Sequence, residues 1–189
     1  MRTEYSNWRK LDNAALAFPL VTGENDTRVF RFYCQLKEEV DSDILQQALD
    51  RTMEKYPLFQ AVLRKGLFWF YLEHSHIRAL VKPETEPPCS RLYIPDKKSL
   101  LFQVSYYKER INFEVFHALT DGTGAMHFLQ ELVQNYLILA HPKENFPEIG
   151  RDKKTGRGNI EEDSFSQYYS SDIPKNREKK KAAVKLKGE

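Results

Sequence analysis

Cysteine is scarce in this 189-residue chain: Cys34 and Cys89 are the only two, and they lie far apart. That spacing matches neither a metal site nor a redox pair, so a reduced, cytoplasmic setting is the simplest expectation. Long apolar runs are missing too. No stretch approaches the ~20 residues that a membrane-spanning helix needs. The opening residues, Met1-Arg2-Thr3-Glu4-Tyr5-Ser6-Asn7, lack the basic-then-apolar order of a signal peptide. No internal repeat is visible.

What is present suits one domain of ordinary size plus some extra. Hydrophobic residues make up 41% and charged residues 30%, which predicts a soluble chain with a real core. The net charge of +2 hides an asymmetry. Residues 151–189 hold 11 Lys+Arg against 7 Asp+Glu, and residues 1–150 hold 18 against 20. The basic excess sits wholly in the tail. This predicts a domain over residues 1–149 and a basic linker or disordered segment over 150–189, where few apolar residues remain to bury.

Along the chain, Trp8, Leu11, Ala14, Ala15, Leu16 and Phe18 predict a short apolar turn or helix that docks on a core. Val29 to Leu36 alternates and is rich in strand formers. Asp41-Ser42-Asp43 offers N-cap candidates for a helix carrying Ile44, Leu45, Ala48, Leu49 and Met53 on one face, stopping near Tyr56 before Pro57. Leu58–Leu63 and Leu67–Leu72 predict a hairpin around Arg64-Lys65-Gly66. Pro83, Pro87 and Pro88 mark a loop. Leu100–Tyr107 and Ile111–Phe116 predict a second hairpin around Lys108-Glu109-Arg110. A helix is expected from Gly122 to Ala140, with Ala125, Leu129, Leu132, Val133, Tyr136 and Ala140 buried, and His141-Pro142 ending it. Several consecutive strands and two main helices indicate an α+β two-layer sandwich, a mostly antiparallel sheet with helices packed on it.

The chemistry points to Phe116-His117-Ala118-Leu119-Thr120-Asp121-Gly122. A strand-like run delivers a histidine, an aspartate follows four residues later, and a glycine opens the long helix. Histidine suits general-base work because its ordinary pKa of ~6.5 lies near working pH. A satisfied structural histidine at a strand end is the plainer alternative. The strand before and the helix after are the context that a catalytic motif of this kind demands. Gly122 is expected to allow a backbone conformation or close approach that a side chain would block. Small Thr123 and Gly124 beside it leave room for a substrate.

The seven residues resemble the H-x-x-x-D-G motif of the coenzyme-A-dependent acyltransferase superfamily, which includes chloramphenicol acetyltransferases, peptide-synthetase condensation domains and alcohol O-acetyltransferases. Lys10-Leu11-Asp12-Asn13-Ala14-Ala15 looks like the opening of bacterial alcohol-acetyltransferase-like proteins. Glu54-Lys55-Tyr56-Pro57-Leu58-Phe59 and the Gly66-Leu67-Phe68-Trp69 hairpin resemble condensation-domain regions. Glu162-Asp163-Ser164-Phe165 and Ala182 to Gly188 resemble the family's interdomain linker. The resemblance implies a chloramphenicol acetyltransferase-like fold, with His117 as general base and Asp121 as a structural residue holding an arginine ion pair. Arg31 is the candidate arginine. It implies transfer of an acyl group, acetyl above all, from acyl-coenzyme A to a hydroxyl acceptor, with no bound cofactor and no metal. Carrier-bound thioesters serve as donors in the peptide-synthetase relatives. Three departures stand out. Phe116 replaces the motif's common first histidine, Gln60 stands where many condensation domains carry arginine, and the family's second half is absent from this length. A C-terminal half-domain or self-association is therefore the expected partner, or else the chain is a non-catalytic interaction module.

Other candidates read more blandly. His74-Ser75-His76 lacks a third and fourth metal ligand. His127 is expected to be exposed. Phe68, Trp69, Phe70 and Tyr71 could line an acyl pocket, but core packing suits such a hairpin better. Lys179-Lys180-Lys181 could meet nucleic acid or anionic lipid, yet a solvated linker is commoner and no specific nucleic-acid partner is expected.

Overall fold

The computed structural model describes residues 8–11, 15–67 and 69–146, with residues 8–10 described for their backbone only. The expected linker over 150–189, with Lys179–Lys181, lies outside the described residues, as does Phe68. Along the chain run β1 (Trp8–Lys10), α1 (Ala17–Val21), β2 (Val29–Gln35) and α2 (Ser42–Lys55). A single 3-10 turn (Pro57–Phe59) leads into β3 (Ala61–Lys65) and β4 (Phe70–His74). β5 (Lys82–Pro83), β6 (Phe102–Tyr107), β7 (Arg110–Phe116) and α3 (Gly122–Ala140) complete the order.

The architecture is α+β, with two sheets. Four strands are ordered β2-β7-β6-β5, and three are ordered β1-β4-β3. Every pairing is antiparallel except β5 with β6. The central strand β7 is buried along Ile111–Phe116. Its Ile111, Phe113 and Val115 turn toward the helices. Phe113 stacks on Phe128 of α3 at 4.7 Å, and Phe128 stacks on Phe59 at 4.5 Å. Offset and edge-on aromatic packing of this kind dominates core energetics. α2 packs against α3, and two polar bonds tie the start and the last turn of α2 to adjacent residues of α3. The Asp41 backbone N–H donates to the Tyr136 hydroxyl at 2.9 Å, and Asn135 donates to the Thr52 hydroxyl at 3.0 Å.

Local chemistry explains the two long helices. The Asp41 carboxylate accepts from the backbone N–H groups of Asp43 and Ile44, at 2.9 and 3.0 Å, filling two of the orphan donors of α2. Leu45, Ala48, Leu49 and Thr52 form its buried face. α3 begins and ends where its pattern predicts. Its buried face adds Phe128 and Glu131 to the expected set, and Val133 and Ala140 are only half-buried.

Four expectations need correction. Residues 5–20 contain a strand as well as a helix: β1 adds an edge to β4, with Trp8 opposite Glu73. The first hairpin sits about three residues later than its apolar runs suggest, with Leu63 opposite Leu72. Pro57 holds the 3-10 turn at Leu58 and Phe59, because its ring fixes φ in the helical range. The hairpin turn then closes with the Gly66 N–H on the Trp69 carbonyl at 2.7 Å. Trp69 is half exposed, so it is not core; Phe70 is. Lastly, Lys82-Pro83 is a two-residue strand rather than loop, and Pro83 is tolerated there because it lies at a sheet edge.

Candidate functional site

β7 ends at Phe116, and His117 is the first residue beyond it. The His117 backbone N–H donates to the Arg28 carbonyl at 2.9 Å, which carries the β2–β7 pairing one step past the strand. Its ring lies almost parallel to Phe18 of α1, with centroids 4.3 Å apart and planes 12° off. Phe30 of β2 meets the same ring at 4.9 Å, tilted by 56°. Phe30 is the register partner of Val115, so both point to the helix side of the sheet. The imidazole is half-buried. Among the described residues neither ring nitrogen has a hydrogen-bond partner. A histidine stacked on one ring, braced by a second and free at its nitrogens is oriented without being committed, and can take a proton from a group brought to it.

Asp121 is the N-cap of α3, and its carboxylate accepts from the Gly124 N–H at 2.8 Å. It is exposed and makes no ion pair among the described residues. The expected arginine partner is engaged elsewhere. Arg31 donates from Nε to Glu114 at 2.8 Å and from its terminal nitrogen to Glu84 at 2.5 Å. The register explains this. Arg31 sits directly opposite Glu114 on β7, on the face away from the helices. Asp121 therefore holds the loop after His117 through a helix cap and not through a guanidinium.

Gly122 also departs from expectation. No glycine among the described residues has a positive φ. A Cβ at Gly122 would meet only the Phe32 ring tip, at 4.0 Å. The close approach belongs to Gly124, where a Cβ would fall 2.1 Å from the Thr120 hydroxyl. Among the described residues the Phe32 ring tip is the one group that bounds the space beside Gly122.

Sequence reasoning missed the polar cluster behind the strand. Glu114 is fully buried, and besides Arg31 it accepts from the Cys89 N–H at 2.6 Å and from Gln103, its register partner on β6. Glu84 accepts from Arg31, from Arg110 at 2.7 Å and from Asn112 at 3.2 Å. The Arg31 hydrogen bond, with Arg110 adding to it against burial, holds the Glu84 carboxyl below the usual carboxylate range. Burial, with the Glu114 charge adding to it, pushes the Cys89 thiol up, which makes it a poor nucleophile. The only available signal was the run of polar residues at alternate positions of β7, Arg110, Asn112 and Glu114.

The remaining candidates stay apart. His74 and His76 are exposed and meet edge-on at 5.4 Å. Among the described residues no cluster of three or more His, Cys, Asp and Glu is placed to hold a metal. His127 is half-buried rather than exposed. Gln60 donates to the Ile77 carbonyl. No described helix is long and apolar enough to cross a membrane.

No family model matches this chain, and no curated protein matches it. Solved structures do. The starter condensation domain of rhizomide synthetase RzmA matches with a TM-score of 0.60 at 12% identity, over 75% of this chain and 40% of that one. A variant of the same domain in complex with C8-CoA matches at 0.60 and 12%, over 72% and 37%. Polyketide synthase associated protein 5 from Mycobacterium tuberculosis matches at 0.54 and 18%, over 74% and 35%. This chain thus spans about two fifths of the length of the structures it matches. At such identities the likeness is one of fold, and the described residues have a condensation-domain-like fold.

Proposed function

We propose that this chain contributes the histidine-bearing part of an acyltransferase that moves an acyl group from a thioester to an acceptor. The supporting observation is His117: stacked on Phe18, met at a tilt by Phe30, and free at both nitrogens among the described residues. The acceptor hydroxyl passes its proton to His117 as its oxygen attacks the thioester carbonyl. The tetrahedral oxyanion collapses, the C–S bond breaks, and the imidazolium returns the proton to the leaving thiolate. Asp121 keeps α3 and its preceding loop in place. Gly122 keeps the approach clear.

The donor in this reading is acyl-coenzyme A, supported by the C8-CoA complex of a structure with the same fold. An acetyl group, an alcohol acceptor and the chloramphenicol acetyltransferase type of sandwich rest on the motif and the N-terminal resemblance. Residues 1–149 are the domain and 150–189 a linker to a second half, with the cytoplasm as setting. Exposed Leu20 and Val21 on α1, the helix that carries Phe18, favour a surface covered by that half or by another copy. The same surface is what a non-catalytic interaction module would use.

The test is acyl-CoA turnover by the natural gene product and its variants. His117→Ala should lower kcat by about 100-fold or more while the protein stays folded, at a stability cost of about 1 kcal/mol for the lost ring packing. Asp121→Asn, which keeps a cap acceptor, should retain activity, and Asp121→Ala should lose some together with about 1 kcal/mol of stability. Full turnover in His117→Ala ends the catalytic reading and leaves the interaction module.

A further inference from the structure

A second region of the molecule collects charge of one sign. β5 pairs only with Ser105 and Tyr106, so the outer edge of β6 at Phe102–Val104 has no strand partner. A cavity of about 360 Å³ opens there, between that edge, Leu49 of α2 and the segments on either side of β5. Five side chains in its lining carry formal charge: Arg78, Lys82, Arg91, Lys97 and Lys98. All are cations, and no carboxylate lines the cavity. Arg78 is paired with Asp50 at 2.7 Å. The other four make no ion pair among the described residues. Arg91 is half-buried in the lining, and its Nε is shut off from water without a hydrogen-bond partner, as are those of Arg28 and Arg110. Apart from Ser99 and Gln103 the remaining lining is apolar, and Ile77, Leu80 and Ile94 stay exposed beside the cations.

We infer that this cavity binds a small phosphate-bearing ligand with an apolar body. Like charges gathered around one concavity repel each other when empty and are relieved by an anion. An arginine that makes no ion pair among the described residues, in a lining shared with lysines, suits phosphate oxygens. The exposed isoleucines and leucine gain only if the ligand also carries carbon. The volume lies in the range of small-molecule sites. The site does not include His117 and does not depend on the acyl-transfer reading.

Calorimetric titration of the whole 189-residue chain with phenyl phosphate tests this. Saturable binding is expected, tighter than that of inorganic phosphate. Raising NaCl from about 0.05 to about 0.5 M should weaken it. Arg91→Ala should weaken it by about tenfold or more, a loss typical of a charge-assisted hydrogen bond. Lys82 is exposed, so Lys82→Glu preserves the test if Arg91→Ala fails to fold. His117→Ala should leave the affinity unchanged. Absence of saturable heat overturns the inference, and so does an affinity indifferent to Lys82→Glu. Co-sedimentation with phosphatidylglycerol vesicles in the absence of phenyl phosphate binding would overturn the soluble ligand and place the cations on a lipid surface.

Discussion

The two faces of β7 are buried by opposite means. Toward the helices, Ile111, Phe113 and Val115 meet aromatic and aliphatic side chains and nothing else is required of them. On the other face, Asn112 and Glu114 are just as inaccessible yet polar, under the segment that carries Glu84 and Cys89, and apolar Phe116 beyond them stacks on Tyr93. The apolar face is stabilised by area removed from water and tolerates approximate partners. The polar face is tolerable only because each carboxylate oxygen of Glu114 is met by a donor at the right register. Both faces end at the same place, where the strand hands over to His117.

Breaking one partner on each face sharpens this contrast. Phe113→Ala should cost about 3–5 kcal/mol in chemical denaturation, as large core truncations do. Glu114→Ala should cost about 3 kcal/mol as well, because it leaves Arg31 with Glu84 alone and the half-buried Cys89 and Gln103 donors without their acceptor. The diagnostic is the second mutation. Arg31→Met should restore much of the loss in Glu114→Ala and none of the loss in Phe113→Ala. Additive costs at Arg31 and Glu114 would mean that the pair does not act as a unit.

A smaller effect separates the two glycines after His117. Gly124→Ala pushes a methyl into the Thr120 hydroxyl and should cost about 1–3 kcal/mol, the range for overpacking. Gly122→Ala adds a helix former in open space and should be neutral or stabilising by up to about 1 kcal/mol. Thermal melts of both variants decide it, and a larger loss at Gly122 would restore the backbone role expected for it from sequence.

The finest test is acid. The Glu84 carboxyl is held low in the folded state, chiefly by the Arg31 hydrogen bond. Its contribution is therefore complete above the ordinary carboxylate pKa of about 4.3 and fades as pH falls through the depressed folded value. Melting temperature should drop through this acid window in the wild type, and Glu84→Gln should reduce the slope there. An identical slope would place the acid sensitivity elsewhere.

Much of the frame was legible. α2 is marked by Asp41 and by apolar residues at helical spacing, and α3 by the residues from Gly122 to Ala140. The second hairpin reads correctly because both strands alternate around a short turn. β1 and β5 were not legible: at three and two residues they carry no period of their own and exist only against β4 and β6. The first hairpin slipped because a run of apolar residues does not say where a proline-led turn ends and a strand begins. At the candidate site the residues His117, Asp121 and Gly122 could be named from the motif, but their surroundings could not.

The sequence by itself determined the long helices, a cap among Asp41, Ser42 and Asp43, and the strand–histidine–helix order, since each depends on residues within a few positions of one another. Only the tertiary structure assigned Arg31 to Glu114 instead of Asp121, stacked Phe18 on His117, and brought Arg78, Lys82, Arg91, Lys97 and Lys98 around one cavity. These outcomes turn on strand register and on which charges are taken out of water together. Arg31 and Glu114 are 83 residues apart, and no local pattern couples positions at that distance.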